Sequence, residues 1–242
     1  MYLRLLFIFL LFLGWGTWAK AQTKVPDEIT LEANIAQIVL NDEHRGGVDW
    51  AAIISDFHTS FLKKQNDPLW DDKKYRVSFG TLSQDDYAVL LDALDMAGQL
   101  TQFNQPPVKV IAGKPAGLDL EKQNIHLDLL LTRLKSGDLS LRIVPHYAVA
   151  ATEILDGDKI PSSIILQAET KLLITDNTTI VIGGFMKEAE ITRTRKFPLL
   201  GNIPIVGLVF RNRGRLMQKT ETVIFLTVRS NAVDAPEEDN TL

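Results

Sequence analysis

From Ile29 the chain alternates apolar and polar side chains: Ile29, Leu31, Ala33 and Ile35 fall on one face, Thr30, Glu32 and Asn34 on the other. A period of two over this length predicts a half-buried strand. The alternation returns at Leu139, Leu141 and Ile143, with Ser140 and Arg142 opposite, and leads into Pro145. A third run puts Ile164, Leu166, Ala168, Thr170, Leu172 and Ile174 on one face and Gln167, Glu169 and Lys171 on the other. Asp176-Asn177 then supplies a turn signal, and the β-branched run Thr178–Ile182 ends at Gly183-Gly184. Together these predict a hairpin. Thr222–Val228, β-branched and aromatic, predicts the last strand.

One segment changes to the helical period. Ser83 followed by Asp86 resembles the start of a capping box, and Tyr87, Leu90, Leu91 and Leu94 recur at helical spacing. Gly98 is the expected C-cap. A shorter helical turn is expected after Val48-Asp49-Trp50, over Ala51 to Ile54. The predicted fold is mainly β and antiparallel, with one or two packing helices.

The ends differ from this body. Residues 1–21 carry Arg4, an apolar run Leu5–Leu13 and the small-residue site Ala19-Lys20-Ala21, the layout of a secretory signal peptide cleaved after Ala21. Even taken from Leu5 to Trp18 the segment has 14 residues, short of the roughly 20 that span a bilayer. A short linker, 22–28, would then lead into one core domain over 29–230. The final stretch, 231–242, carries Asp234, Glu237, Glu238 and Asp239 and is expected to be an acidic disordered tail.

Composition excludes more than it assigns. With 45% hydrophobic residues, the 242-residue chain is not of the disordered class. It has no cysteine, which removes disulfide scaffolds, thiol catalysis and cysteine-ligated metals. An export signal without cysteines fits a bacterial periplasm or outer membrane. Lys and Arg number 26 against 30 Asp and Glu, so there is no overall basic footprint for nucleic acid.

The sequence carries little that could be catalytic. His44, His58, His126 and His146 are scattered, and none sits in a metal-binding spacing. No nucleophile elbow and no glycine-rich phosphate loop occurs. Asp71-Asp72 and Asp85-Asp86 pair carboxylates, but in positions where acids are normally solvated or matched to a helix dipole. The expectation is no enzyme, no cofactor and no metal.

One basic cluster stands out: Arg193, Arg195, Lys196, Arg211, Arg213, Arg215 and Lys219 bracket the almost uncharged stretch 197–210, FPLLGNIPIVGLVF. That pattern suits either a buried loop with solvated flanks or an apolar belt whose Arg and Lys mark a membrane–water boundary. Pro198 and Pro204 remove amide donors, so this loop cannot be a central strand. Gly201 and Gly207 permit tight turns, and Leu199, Leu200, Ile203, Ile205 and Val206 call for burial.

This stretch resembles the C-terminal signature of bacterial secretins, the outer-membrane channels of type II and type III secretion and of type IV pili. The residues carrying the resemblance are Gly183-Gly184, then Pro198, Leu200, Gly201, Ile203, Pro204, Gly207 and Phe210, then a closing strand over Glu221–Val228. Upstream, Leu31 to Ile35 followed by Gly47-Val48-Asp49-Trp50 is similar to the family's opening strand and turn. Pro107, Val108, Val110, Gly113, Pro115 and Ala116 are similar to its central segment, and Gly137, Leu141 and Pro145-His146 to the strand that follows. The resemblance spans Ile29–Ser230.

It implies a ring of identical subunits forming a double-walled β-barrel in the outer membrane. Protein or a pilus would pass through, with a pilotin-like helper or a larger secretin as possible partners. Two differences from the family motivate an alternative, a periplasmic accessory module that forms no pore. Only Gln22 to Glu28 would separate the signal from the core, where secretins usually carry small periplasmic ring domains. Only the segment 117–136 lies where the family places a longer gate hairpin.

Overall fold

A computed structural model describes residues 27–54, 57–65, 67, 75–83, 86–155, 158–196 and 211–230. The segment expected to be an export signal, 1–21, the stretch expected to be an acidic tail, 231–242, and the whole of 197–210 lie outside them. The described chain forms two antiparallel sheets and two helices, in keeping with the mainly β expectation.

The strands of the first sheet, sheet A, are β1 (Glu28–Leu40), β2 (His58–Phe61), β4 (Arg76–Leu82), β5 (Gly98–Asn104), β6 (Val108–Ile111), β12 (Thr179–Lys196) and β13 (Arg211–Ser230). They run in the order β2-β4-β12-β13-β1, and the far side of β1 is shared by β5 and β6. Sheet B orders β3 (Lys63–Lys64), β10 (Asp158–Gln167), β9 (Leu139–Leu155), β8 (Ile125–Arg133) and β7 (Pro115–Leu120), with β11 (Thr170–Ile174) also on β9. The helices are α1 (Trp50–Ile53) and α2 (Asp86–Ala97). No helix among the described residues is long and apolar enough to cross a membrane.

The alternation of β1, with its single break, explains why this is a three-layer arrangement. Ile29, Leu31, Ala33 and Ile35 bury against sheet B, in a core with Phe79, Leu127, Leu141, Ile182 and Ile224. After Ile35 the apolar positions change parity. Ala36, Ile38 and Leu40 therefore point to the opposite face, where they meet Trp50, Leu90, Leu94 and Ala97 of the helices. β13 feeds both cores at once: Ile224, Leu226 and Val228 face sheet B, while Val223 and Phe225 face α2. A strand covered on both faces reads as a continuous apolar run, and Val223–Leu226 is one.

Several local expectations are corrected. The turn at Asp176-Asn177 closes no hairpin. β11 pairs β9 in sheet B, whereas β12 pairs β4 and β13 in sheet A, so the chain crosses between layers there. The run 164–174 keeps its alternation but divides at Ala168-Glu169 into β10 and β11. Pro145 explains that division. It lies inside central β9, where a missing N–H would break a ladder, and its carbonyl faces the gap, accepting from the Ala168 amide at 3.4 Å. Gly183-Gly184 does not end a strand, because the register shifts between Ile182 and Phe185 and β12 continues to Lys196.

Gly98 is not a left-handed C-cap; it is the first residue of β5 and lacks a positive φ. A Cβ on it would stand 2.1 Å from the Val39 carbonyl oxygen, so only glycine lets α2 turn straight into a strand against β1. Where sheets A and B meet at one end, Arg133 Nη2 donates to Asp27 Oδ1 at 2.9 Å and to Ser230 Oγ at 2.8 Å. This clamp joins the start of the core to its last strand.

Candidate functional site

The signature residues fall in three places. Four of them, Gly47, Trp50, Gly183 and Gly184, converge around one buried carboxylate, that of Glu221 on β13. Asn41 Oδ1 accepts from the amides of Glu43 and His44, turning the chain as it leaves β1. Gly47 then adopts φ +103, a conformation costly for any other residue, and aims the Val48 amide at Glu221. The Val48 amide donates to Glu221 Oε2 at 2.8 Å, and Trp50 Nε1 donates to Oε1 at 2.8 Å. The backbone of Gly184 also favours the charged form of the carboxylate.

The Gly-Gly pair makes this approach possible. A Cβ at Gly183 would lie 2.6 Å from Cε2 of Trp50, so the indole rests flat where only bare backbone fits. Gly184 has φ +96, and a Cβ there would be 2.9 Å from the Arg76 carbonyl oxygen. The bulge thus brings an amide to the carboxylate and clears room for the ring. Bulges are used in this way to re-aim groups at a local bend.

Glu221 is 1% exposed. Burial pushes its carboxyl up from the ordinary value, opposed by the donors on Val48, Trp50 and Gly184 and by the charge of Arg76. Beside it opens a cleft of about 400 Å³ lined by Asp49, Phe57, Arg76, Ser78 and Met186 among others. Asp49 is exposed and makes no side-chain hydrogen bond to the start of α1. Both carboxylate oxygens are already occupied by donors, so the arrangement is suited to fastening the turn onto β12 and β13. Glu221 was not singled out by its sequence, yet a signal was present: it shares strand parity with buried Val223 and Phe225, where an acid is out of place.

The second set lies in connections. Pro107 precedes β6, and Gly113 sits in the turn that carries the chain from β6 in sheet A to β7 in sheet B, its amide donating to the Leu131 carbonyl at 2.7 Å. Gly137 sits in the β8–β9 turn and Pro145 in β9. These residues set topology and do not approach Glu221. The third set, Pro198, Leu200, Gly201, Ile203, Pro204, Gly207 and Phe210, lies outside the described residues.

Strands β12 and β13 bring the basic flanks of that stretch together. Lys196 pairs with Arg211, Thr194 with Arg213 and Thr192 with Arg215, at the end of the ribbon farthest from Glu221. Arg215 meets Glu190 at 3.3 Å and Lys219 meets Glu188 at 3.3 Å. The Arg215 side chain is 82% exposed, so its pair contributes little to stability. Among the described residues, no group of three or more potential ligands is arranged to hold a metal ion.

Comparison with known proteins places these features in a family. The pattern described as "Secretin: Bacterial type II and III secretion system protein" matches residues 97–229. The type IV pilus biogenesis and competence protein PilQ of Neisseria meningitidis is 35% identical over 60 residues, 25% of this chain and 8% of that protein. Competence protein E of Haemophilus influenzae is 32% identical over 104 residues, 43% of this chain and 20% of that protein. The chain thus spans well under a quarter of the length of these relatives. Among solved structures, the secretin-domain β-barrel of InvG from Salmonella is 15% identical over 98% of this chain and 70% of that one, with a TM-score of 0.36. The span 97–229 takes in more than half of the chain, from the start of β5 through the Gly-Gly bulge and Glu221 to the end of β13, and the chain belongs to the secretin family.

Proposed function

We propose that this chain is a component of an outer-membrane channel for protein secretion or pilus passage, working as a homo-oligomeric pore and catalysing no reaction. The observation that carries this reading is the family match across 97–229, which takes in both long hairpins, β9–β10 and β12–β13. Relatives named for type IV pili, for competence and for type 3 secretion agree with passage in general and favour no one system. The physics agrees too. Among the described residues each sheet has open edges in a single chain, at β2 and β5 in sheet A and at β3 and β7 in sheet B. Closure of strands from many copies into a barrel removes such edges.

Expression with its export signal should yield a membrane-bound species that, extracted in detergent, runs as a heat-resistant high-mass ring visible by electron microscopy. A soluble particle the size of one chain would overturn the reading. A second reading, a periplasmic module that caps or pairs with a larger secretin, draws on the segment 117–136. The hairpin β7–β8 with its connecting 3₁₀ turn and the turn to β9 fill it, leaving no longer gate hairpin at that point. Co-purification with a larger secretin, without rings formed alone, would select this module. A pilotin-like helper belongs to the channel reading as a partner.

The basic flanks fit a membrane boundary beside the apolar stretch 197–210. Changing Arg211, Arg213 and Arg215 together to Ser should reduce co-sedimentation with anionic vesicles, with a larger reduction at low ionic strength than at high. Equal binding by variant and wild type at low salt would remove this assignment.

A further inference from the structure

Sheet B carries a second cluster of titratable groups, on its solvent side and away from Glu221. His126 on β8 stands directly opposite His146 on β9, with ring centroids 5.9 Å apart. Asp119 on β7 is the register partner of His126 on the other side, and its Oδ1 contacts His126 Nδ1. Nε2 of His126 lies 3.1 Å from Asp128 Oδ1, and the second Asp128 oxygen lies 2.9 Å from His146 Nε2. The contacts form one unbroken series across three strands. Gly117, the register partner of Asp128, leaves room for the His126 ring, since a Cβ there would stand 3.0 Å from its Cε1.

The proton count of this series is constrained. An ionised carboxylate only accepts hydrogen bonds, and a neutral imidazole has one donor and one acceptor. Both ring nitrogens of His126 face carboxylate oxygens, so a neutral ring would satisfy one and turn a lone pair toward the other. Only the imidazolium completes both contacts. The charged and titratable groups around it are Asp119 from β7, Asp128 from β8 and His146 from β9. Farther along β9, Arg142 acts on Asp128 through space and is held by Glu169 from the β10–β11 connection.

We propose that this cluster is a proton-operated clasp: protonated His126 fastens edge strand β7 to β8 and, through Asp128 and His146, to β9, and loss of the proton loosens β7. The electrostatics have the matching sign. The hydrogen bond to Asp119, aided by Asp128, raises the imidazole above its ordinary value of 6.5. The hydrogen bonds from His146 and His126 hold Asp128 below its ordinary 3.8. A raised histidine gives its full stabilisation below 6.5 and loses it as pH climbs through the folded value; a depressed aspartate loses its share only as pH falls through its own. The clasp is therefore closed at mildly acidic pH and opens on the alkaline side. Among the described residues β7 has a strand on one side only, so its release would bare the β8 edge to pairing by another chain. The clasp does not rest on the channel reading.

The test is hydrogen exchange of the full chain over Pro115–Leu120, corrected for the intrinsic rate, about one unit below and two units above the ordinary histidine value. Wild type should lose protection on the order of tenfold for each unit by which the His126 value is raised. His126→Gln should show no such step. Asp119→Asn should keep β7 protected at both pH values, because an amide can either accept from or donate to a neutral ring. An equal step in wild type and H126Q would overturn the clasp, as would a full step in D119N. If H126Q does not fold, a His126 ring titrating at or below 6.5 by NMR overturns it equally, and one titrating above supports it.

Discussion

Replacing Trp50 by alanine should destabilise the protein by about 3–5 kcal/mol, the range for deleting a buried aromatic side chain. The indole is 4% exposed, lies on the bare backbone of Gly183 and donates to Glu221. Its loss opens a cavity between α1 and the bulge and leaves one buried carboxylate oxygen without its donor. Trp50→Phe separates these contributions. It keeps most of the packing while removing the N–H with part of the ring, at an expected cost of about 1–3 kcal/mol for the lost donor.

The second variant also has a predictable pH dependence. Glu221 already sits above its ordinary value of 4.5, so the folded chain takes up that proton more readily than the unfolded one. Its stabilising contribution is complete below 4.5 and is lost as pH rises through the folded value. Removing the indole donor pushes the folded value higher still. The penalty of W50F should therefore be larger at neutral pH than near the unfolded carboxyl value. Urea unfolding at both conditions measures it, and a pH-independent penalty would show that the indole contributes packing alone.

Gly98→Ala should be as damaging, at about 3 kcal/mol or more. Its added methyl would lie 2.1 Å from the Val39 oxygen, 2.8 Å from the Val39 carbonyl carbon and 3.0 Å from the Leu40 Cα. All three are backbone atoms, so no side-chain rotation relieves the clash. Relief requires parting β5 from β1, which are paired from Asn34↔Asn104 to Leu40↔Gly98. Protease cleavage within Gly98–Asn104 should then appear in the variant under conditions where wild type resists. Gly46→Ala is the control: nothing lies within 4 Å of its Cβ position, and unfolding midpoints should coincide with wild type.

What the sequence made legible follows from range. β1 could be read because its alternation needs no partner to be visible, and α2 because Leu90 and Leu94 lie one turn apart. The parity change after Ile35 shows in the sequence only as two adjacent apolar residues, which local pattern cannot distinguish from noise. Asp176-Asn177 signals a turn equally well whether the next strand pairs back or crosses to another sheet. Glycine carries the same ambiguity: Gly98 was read as a cap and Gly183-Gly184 as a stop, whereas close approach and a bulge require the same residue.

The Glu221 junction was out of reach because its donors stand 171 and 173 residues away in the chain. The pairing of His126 with His146, which the sequence shows only as scattered residues, was out of reach for a related reason. Metal and catalytic spacings are written mostly for helices and tight loops, and strand register joins residues at separations set by the length of a hairpin. The Pro198–Phe210 signature was recognisable by resemblance, which is independent of knowing its conformation.

Mechanically, β12 and β13 form a single ribbon with one fulcrum. From Lys187–Lys196 and Thr220–Arg211 the pairing continues without a break for ten positions, a lever arm of roughly 33 Å at the usual rise per residue. The register irregularity at Gly183-Gly184 marks the inner end of this arm, and Glu221 lies beside it on the partner strand. A sideways load on the outer end is therefore delivered as torque to the root of the ribbon, where the Trp50–Glu221 contact, the pairing of Thr220 and Glu221 with β1 and the Tyr147 hydroxyl on the Met186 carbonyl together resist it.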